Sequence, residues 1–301
     1  MATTRALLPT TLEAGIKRVY FKRLGSIQTY FTKIFNIESS GRAFEDMLRA
    51  AGLGTLVLKP EGVAVSYDDP IQGARVRTVF LTFALGFRVT MEMMEDEEYR
   101  VVMRMPEELA DSTADHRERV AHALLNDAFA GATFTGLDAA ALCGNHTNLK
   151  TGTVQSNSLA PAVGLSVSAM QSLLTAFETF TNESDRFVAL RPSMLLVPPA
   201  LHYIAAQILD SQERPDTTDR ATNTVSTTRT GVSYLSDPYL TDTDNYFLLA
   251  AKGQHDLTWW NRKSPTKNSA TDFDTQDMKW HIHYRAQVAF YDWRGVMGCA
   301  P

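Results

Sequence analysis

Apolar positions along this chain change their period several times, and each change marks a predicted element. Residues 1–15 show no period and are expected to be extended. Residues 16–50 interleave bases with Tyr20, Phe21, Tyr30, Phe31, Ile34 and Phe35. Phe44, Met47 and Leu48 fall at i, i+3, i+4, which predicts a short helix over 41–51, ended by Gly52 and Gly54. Residues 55–67, with Val57, Val63 and Val65, predict a strand. Asp68, Asp69, Pro70 and Gly73 predict a turn. Residues 74–92 then alternate, with Val76, Thr78, Phe80, Thr82 and Ala84 on one side and Arg75, Arg77, Val79, Leu81 and Phe83 on the other. Together these segments predict a long two-stranded excursion. A lone hairpin is marginally stable in water, so one of this length is expected to lie on another surface, its own body or a neighbouring subunit.

The period lengthens over residues 106–131, the clearest helix. Pro106 suits a first turn, with Glu107 and Glu108 near the positive end of the helix dipole. Val120, Ala121, Leu124, Leu125 and Ala128 form the apolar stripe, and Gly131 ends it. Such a helix is about 39 Å long, a spine for a whole domain. Ser168 and Gln171 have capping-box spacing ahead of an apolar face made by Met170, Leu173, Leu174 and Phe177. Residues 193–197 predict a short buried strand. Pro198 and Pro199 open a helix that turns Leu201, Ile204, Ala205, Ile208 and Leu209 inward. A polar loop over 211–231 holds seven threonines, long enough that mobility or a partner is expected. Strands are predicted at 245–251, 256–262 and 279–293, the last two separated by a polar loop. No repeat at fixed period is evident.

Composition narrows the function classes. A net charge of −5 argues against a protein whose main task is gripping nucleic acid, although a shell confines its cargo without binding it tightly. The distribution of charge says more than the total. Residues 1–60 hold nine bases and four acids, which leaves −10 on the rest. A basic arm on an acidic body reaches a neighbour's acidic surface or faces polyanionic cargo; the plainer reading is a solvated face. Two cysteines, Cys143 and Cys299, are no disulfide framework and suit a reducing compartment. Residues 1–15 carry no long apolar run ahead of a small-residue cleavage site, and the longest apolar stretches fall short of a membrane span.

Candidate chemistry is thin. Cys143 and His146 have C-x-x-H spacing, and His281 and His283 lie two apart on one strand face, but neither pair has an evident third ligand for a metal. The nucleophile-elbow and phosphate-loop glycine patterns are absent. Asp237, Asp242 and Asp244 lack the spacing of a calcium loop and read as a surface turn. Glu92, Glu95, Asp96, Glu97 and Glu98 read as a solvated face or as an acidic strip that docks a neighbour's arm. Trp259, Trp260, Trp280 and Trp293 are expected as core and interface anchors.

The order basic arm, long hairpin, spine helix, α/β lobe and return to β resembles that of the major capsid proteins of tailed bacteriophages, the Hong Kong ninety-seven fold. Local motifs sharpen the likeness. Leu195-Leu196-Val197-Pro198-Pro199-Ala200-Leu201, followed by Ala205, Ile208 and Leu209, is similar to a segment of the Mu-like head subunits. So are the stretch from Ser236 to Ala250 and the ending Asp292-Trp293-Arg294-Gly295. The order covers nearly the whole chain; the motifs cover its C-terminal half.

The resemblance implies an α+β fold with an N-arm over 1–54, an E-loop hairpin over 55–95, a P-domain with the spine helix over 96–165, an A-domain over 166–254 and a return to the P-domain sheet over 255–301. It implies a non-enzymatic virion protein without cofactors that self-assembles, through hexamers and pentamers, into an icosahedral or prolate head around double-stranded DNA. That DNA is enclosed without sequence-specific binding, no membrane is involved, and assembly takes place in the host bacterial cytoplasm. Implied partners are sister copies, a portal, decoration proteins and a scaffolding protein. The arm begins almost at once, so scaffolding is expected to be separate, or the chain is already the mature form. Expected subunit contacts are Arg75, Arg77 and Arg88 on the hairpin, Lys17, Arg18, Lys22 and Arg23 on the arm, and Glu95 and Glu97 on the acidic run. One family member cross-links subunits through an E-loop lysine. Here Lys59, the only lysine between Lys33 and Lys150, is expected near the hairpin base, and no cross-link is expected. Two rivals stand beside this reading: an encapsulin-type compartment shell of the same fold, and a soluble hydrolase.

Overall fold

The computed structural model describes residues 8–95, 99–213, 222–227 and 231–301; the side chains of 8–12, 94, 95 and 99–101 are not described. In chain order the elements are α1 (Leu8–Ser26), α2 (Phe31–Ile34), β1 (Asn36–Ser39), β2 (Phe44–Ala51), β3 (Ile71–Val79), β4 (Leu81–Val89), α3 (Met91–Glu95), α4 (Tyr99–Asn126), β5 (Asn145–Thr147), β6 (Val154–Ser156), α5 (Val167–Glu178), β7 (Pro192–Val197), α6 (His202–Asp210), α7 (Thr224–Thr227), β8 (Ser233–Ser236), β9 (Tyr246–Ala250), β10 (Thr258–Thr271), β11 (Met278–Ala289) and β12 (Val296–Cys299).

Two four-stranded sheets organise them. The first has the order β1-β10-β11-β4, with β1 parallel to β10 and the other pairs antiparallel. The second has the order β12-β9-β7-β8, with β7 and β8 parallel. All five residues of β9 are buried, because α5 and α6 cover one face of this sheet and the main core covers the other. That is why β9 reads as an unbroken apolar run. The main core joins both sheets to α2 and α4 through Phe31, Leu124, Leu125, Phe247, Trp259 and Phe290. Smaller clusters seal α1 against α4 and the first sheet through Ile16, Tyr20, Val102 and Trp280.

Several expectations are corrected. The extended N-terminal segment is helical from Leu8, in α1. The helix expected over 41–51 is strand β2, paired antiparallel with β3 from Phe44 opposite Val79 to Ala51 opposite Ile71. Phe44, Met47 and Leu48 are all partly exposed, so no core face rewards a helix there, and cross-strand pairing decides the conformation. The strand expected over 55–67 does not form, since residues 52–70 connect β2 to β3 with a turn at 61–62. Among the described residues the β-formers of that stretch have no partner strand. The hairpin is therefore β2 and β3, and the alternating stretch 74–92 is two strands broken at Phe80: β3 pairs with β2, and β4 pairs with β11.

The spine helix starts earlier than expected, at Tyr99, and carries Pro106 inside it. An interior proline costs roughly 3 kcal/mol. Upstream of it Val102 is buried with Ile16, Val89 and Trp280, and this packing holds the first turns helical. The 28 residues of α4 span about 42 Å. Its C-terminal turn closes at Gly131, φ +60°, where the Gly131 N–H reaches the Asp127 carbonyl. The cap of α5 is Ser166 rather than Ser168: Ser166 Oγ accepts the Ala169 N–H, and Gln171 donates to Thr224 Oγ1. Ile204, expected inward on α6, is exposed. The polar loop expected after residue 262 is mostly strand, because β10 runs to Thr271 in register with β11 across two irregularities that flank Lys263 and accommodate Pro265. Of the threonine-rich loop, residues 214–221 and 228–230 lie outside the described residues.

Candidate assembly surfaces

The hairpin contains its own electrostatic lock. Arg77 donates to both carboxylate oxygens of Asp46, at 2.8 and 2.9 Å, and its guanidinium lies 3.9 Å from the centre of the Phe44 ring. Arg75 reaches the same carboxylate at 3.5 Å. The Arg77 hydrogen bonds hold the Asp46 carboxyl below the usual range. Arg75 and Arg77 thus already have a partner on β2, while keeping about half of their surface exposed.

The hairpin's far end is tied to the chain's own body. Arg49 donates to Glu183 at 2.9 and 3.0 Å and to the Thr147 carbonyl. Glu183 also accepts the Leu149 N–H and, at 3.2 Å, Arg294. Arg294 is nearly buried, held further by Asp292 and by the Thr181 and Asn148 oxygens. Lys150 pairs with Asp68, whose carboxylate also accepts the Gly54 N–H. Beyond this anchorage the connection 52–70 is unpartnered. Leu56 is 103% exposed, Leu58 89% and Tyr67 91%, with Leu53, Val57, Val63 and Val65 also exposed. Lys59 sits in this connection, two residues before its turn, and not near the hairpin base; the ground for expecting no cross-link is thereby removed.

On the arm, Ile16 and Tyr20 face inward, and Tyr20 OH donates to Thr113 Oγ1 of α4 at 3.2 Å. Lys17, Arg18, Lys22 and Arg23 face outward. Of these, Arg23 is engaged with Asp111 of α4 at 2.7 and 3.1 Å. Arg88 is exposed on β4, opposite Lys279 of β11; strands β4, β10 and β11 contain no acid. Glu95 ends α3, and Glu97 lies outside the described residues, as do Asp96 and Glu98. Arg75 and Arg77 thus lie on β3, Arg88 on β4, and Lys17, Arg18, Lys22 and Arg23 on α1.

A buried joint escaped the sequence reading. Glu118 and His122, one turn apart on α4, meet Asp237, which is fully buried and not part of a surface turn. Asp242 and Asp244 are exposed, as expected of a turn. Glu118 accepts the backbone N–H groups of Tyr30 and Phe31 at 2.7 and 3.0 Å, so it caps the start of α2. His122 Nδ1 faces the Glu118 carbonyl at 2.7 Å and Nε2 faces Asp237 at 2.6 Å. Both ring nitrogens point at acceptors, so the ring is held as the doubly protonated imidazolium. Burial alone would lower its pKa; the bond to Asp237, that group's charge and the Glu118 carbonyl outweigh burial and raise it. Burial raises Glu118, against the pull of its two backbone donors. The visible signal was the Glu-x-x-x-His spacing on a helix; Asp237 lies 115 residues further on.

The candidate metal pairs are packed differently. Cys143 is buried, which pushes its thiol up, and His146 stacks 4.4 Å from Trp293 with Nδ1 on Asp138. His283 lies 2.8 Å from Lys263, and His281 is exposed beside it. Among the described residues no three His, Cys, Asp or Glu side chains gather as a metal site would need. Trp259, Trp280 and Trp293 are core residues, and Trp260 donates to Tyr291 OH at 2.8 Å. Among the described residues no helix is long and apolar enough to cross a membrane.

A family model described as phage capsid protein matches residues 74–297, most of the chain. The chain belongs to the phage capsid protein family. It is a capsid shell protein, and its place is the virion. Solved structures agree in fold. The procapsid protein of bacteriophage JBD30 is similar with a TM-score of 0.55 at 14% identity, over 99% of this chain and 76% of that one. Microbacterium phage Oxtober96 gives 0.54 at 10%, over 91% of each chain. A virus-like particle from Pyrococcus furiosus gives 0.53 at 7%, over 95% of this chain and 98% of that one. A comparison with curated protein sequences gives no match. Membership accords with the geometry: a capsid subunit assembles with copies of itself, and the connection 52–70 of the hairpin is left largely exposed by its own body.

Proposed function

We propose that this capsid subunit is the major head protein of a tailed phage, of the Mu-like group and the Hong Kong ninety-seven fold. Copies join as hexamers and pentamers of a closed icosahedral or prolate shell around double-stranded DNA, assembled in the host cytoplasm with a portal, a separate scaffolding protein and decoration proteins. In this reading the N-arm, first bounded at 1–54, ends before Phe44, and 96–165 is the P-domain, 166–254 the A-domain and 255–301 the return to the P-domain. The E-loop, first bounded at 55–95, has its strands at 44–51 and 71–79. The hairpin with Arg75 and Arg77 meets one neighbour; Arg88 on β4, the arm with Lys17, Arg18, Lys22 and Arg23, and the acidic run with Glu95 and Glu97 meet others.

One observation carries this reading: the apolar connection 52–70 is presented to solvent on an anchored hairpin. Burying side chains such as Leu56, Val57, Leu58 and Tyr67 is worth roughly 1.5–3 kcal/mol each before ordering costs. The described residues offer them no cover, and in this reading a neighbouring copy does. Reversing charge at Arg75 and Arg77 is a poor test, because both hold Asp46 within the hairpin. The better variant is Leu56→Asp with Leu58→Asp. It is expected to stay a soluble, folded subunit and to make no particles by size-exclusion chromatography and negative-stain microscopy. Normal particles from it would overturn the reading. The compartment-shell alternative is favoured by the similarity to the Pyrococcus furiosus particle. Particles purified from the native source with protein cargo and no packaged DNA would select it.

A further inference from the structure

At the end of the β10–β11 hairpin, Phe273 is 94% exposed. Its surroundings are held in place. The Asp272 N–H donates to the Asp277 carbonyl at 2.9 Å, the Asp274 N–H to Asp272 Oδ1 at 3.1 Å, and Lys279 clasps the same carboxylate. Asp277 is buried, and Gln276 takes the left-handed conformation, φ +56°, that turns the chain back. The ring is therefore an aromatic knob on a hydrogen-bonded turn, flanked by Asp272 and Asp274. An exposed aromatic held in a fixed position loses little conformational freedom when it is buried, which is the profile of an interface anchor.

A surface of opposite character lies on α1. Lys17, Arg18, Phe21 and Lys22 fall at i, i+1, i+4 and i+5, on the outward face. Phe21 is 38% exposed and rests edge-on against Tyr20, at 5.0 Å. Among the described side chains of α1 the single acid is Glu13, already bound to Lys267 and Ser269 of β10. So one end of the molecule carries an aromatic between two acids, and another face carries an aromatic among three bases. Phe273 touches no part of its own α1, as its exposure requires, so the two can meet only between copies.

We propose that the Phe273 turn of one subunit docks on the outer face of α1 of a neighbouring subunit, with Phe273 against Phe21 and Asp274 against Lys17, Arg18 and Lys22. This rests on the shell reading and gives the basic arm a specific partner: a sister copy, in place of packaged nucleic acid. Each contact is small, and its weight comes from repetition around a closed shell, where every subunit donates one knob and receives one.

The test is assembly of purified full-length protein, read by light scattering and microscopy. Phe273→Ala should leave the subunit's thermal melt unchanged and raise the concentration needed for particles about tenfold. Asp274→Lys and Lys22→Glu should each impair assembly, and the double variant should recover it in part, as a pair that touches must. If the unmodified chain makes no particles, the shell reading falls and the contact with it. If it does and Phe273→Ala assembles equally well, the contact alone is wrong. If Asp274→Lys and Lys22→Glu combine additively without recovery, the pairing with α1 is wrong.

Discussion

Replacing Asp237 by alanine should destabilise the subunit more than any surface change, because it strands a buried cation. His122 and Asp237 are both fully buried, and besides this carboxylate the ring has the Glu118 carbonyl at 2.7 Å and the Glu118 carboxylate at 3.6 Å. Removing one partner of a buried pair typically costs about 3–5 kcal/mol. The variant also takes from the Tyr239 N–H the acceptor it has at 2.9 Å. Against a total of roughly 5–15 kcal/mol this is about a fifth or more, a fall of the order of 10 °C in Tm. Urea denaturation of the unassembled subunit, followed by tryptophan fluorescence, measures it. Asp237→Asn keeps an acceptor oxygen and should lose less. The pH dependence supplies a second check. The folded pKa of His122 is raised, so its stabilisation is complete below the unfolded value of about 6.5 and is lost as pH rises through the folded value. Glu118 is raised too, so its ionisation also disfavours the fold as pH rises. Wild-type stability should therefore fall as pH rises above the unfolded histidine value of about 6.5, and the Asp237→Ala variant should show a shallower fall. A loss below about 1 kcal/mol, or identical slopes in the two proteins, would refute the charged-joint argument.

Two further outcomes follow from the same kind of accounting. Glu183→Ala leaves Arg49 and Arg294 without their shared carboxylate, at a cost of about 3 kcal/mol, and frees the far end of the hairpin; limited proteolysis should cut within 52–70 faster, with the new termini mapped by mass spectrometry. Burial, with Lys252 nearby, pushes His255 down to about 4. A histidine depressed in the fold stabilises above its unfolded pKa of about 6.5 and loses that contribution as pH falls through about 4, worth roughly 3 kcal/mol. His255→Gln should flatten stability measured across that acid window, and an unchanged profile would count against the burial argument.

Much of the body was legible because local pattern and tertiary demand agree there. The apolar run of β9, the stripe of α4 from Val120 to Ala128 and the face of α5 all point where the core is. The misreadings lie where a distant partner decides. Phe44, Met47 and Leu48 match a helical period by chance over eight residues, and β3, some thirty residues on, makes them a strand. Polar residues of β10 pair with β11 although no period marks them. Pro106 suggested a helix start, but Val102 and its buried neighbours extend the helix past it. Of the candidate assembly surfaces, the basic residues of α1 and the arginines of β3 were visible in the sequence as charge alone. The Glu118–His122–Asp237 joint was not, since buried polar partners far apart in sequence leave only a half-signal each.

The placement of stabilising contacts separates folding from assembly. Both sheets, α4 and the two main clusters are complete within one chain, so the body needs no neighbour to fold. The 52–70 connection and the Phe273 turn contribute almost nothing to that core, and their side chains stay exposed on the single subunit; in the proposed shell a second copy covers them. The anchorage at Arg49, Glu183 and Asp68 lies between these regions: it fixes the direction of the hairpin without burying its tip. Substitutions should therefore sort by place. Those in the core lower the melting point of the free subunit, those at the tips change only the concentration at which particles appear, and those at the anchorage do both. An assembly protein has reason to be built this way, because a subunit that stays soluble until it meets its neighbours can be added one copy at a time, and a misplaced copy can leave.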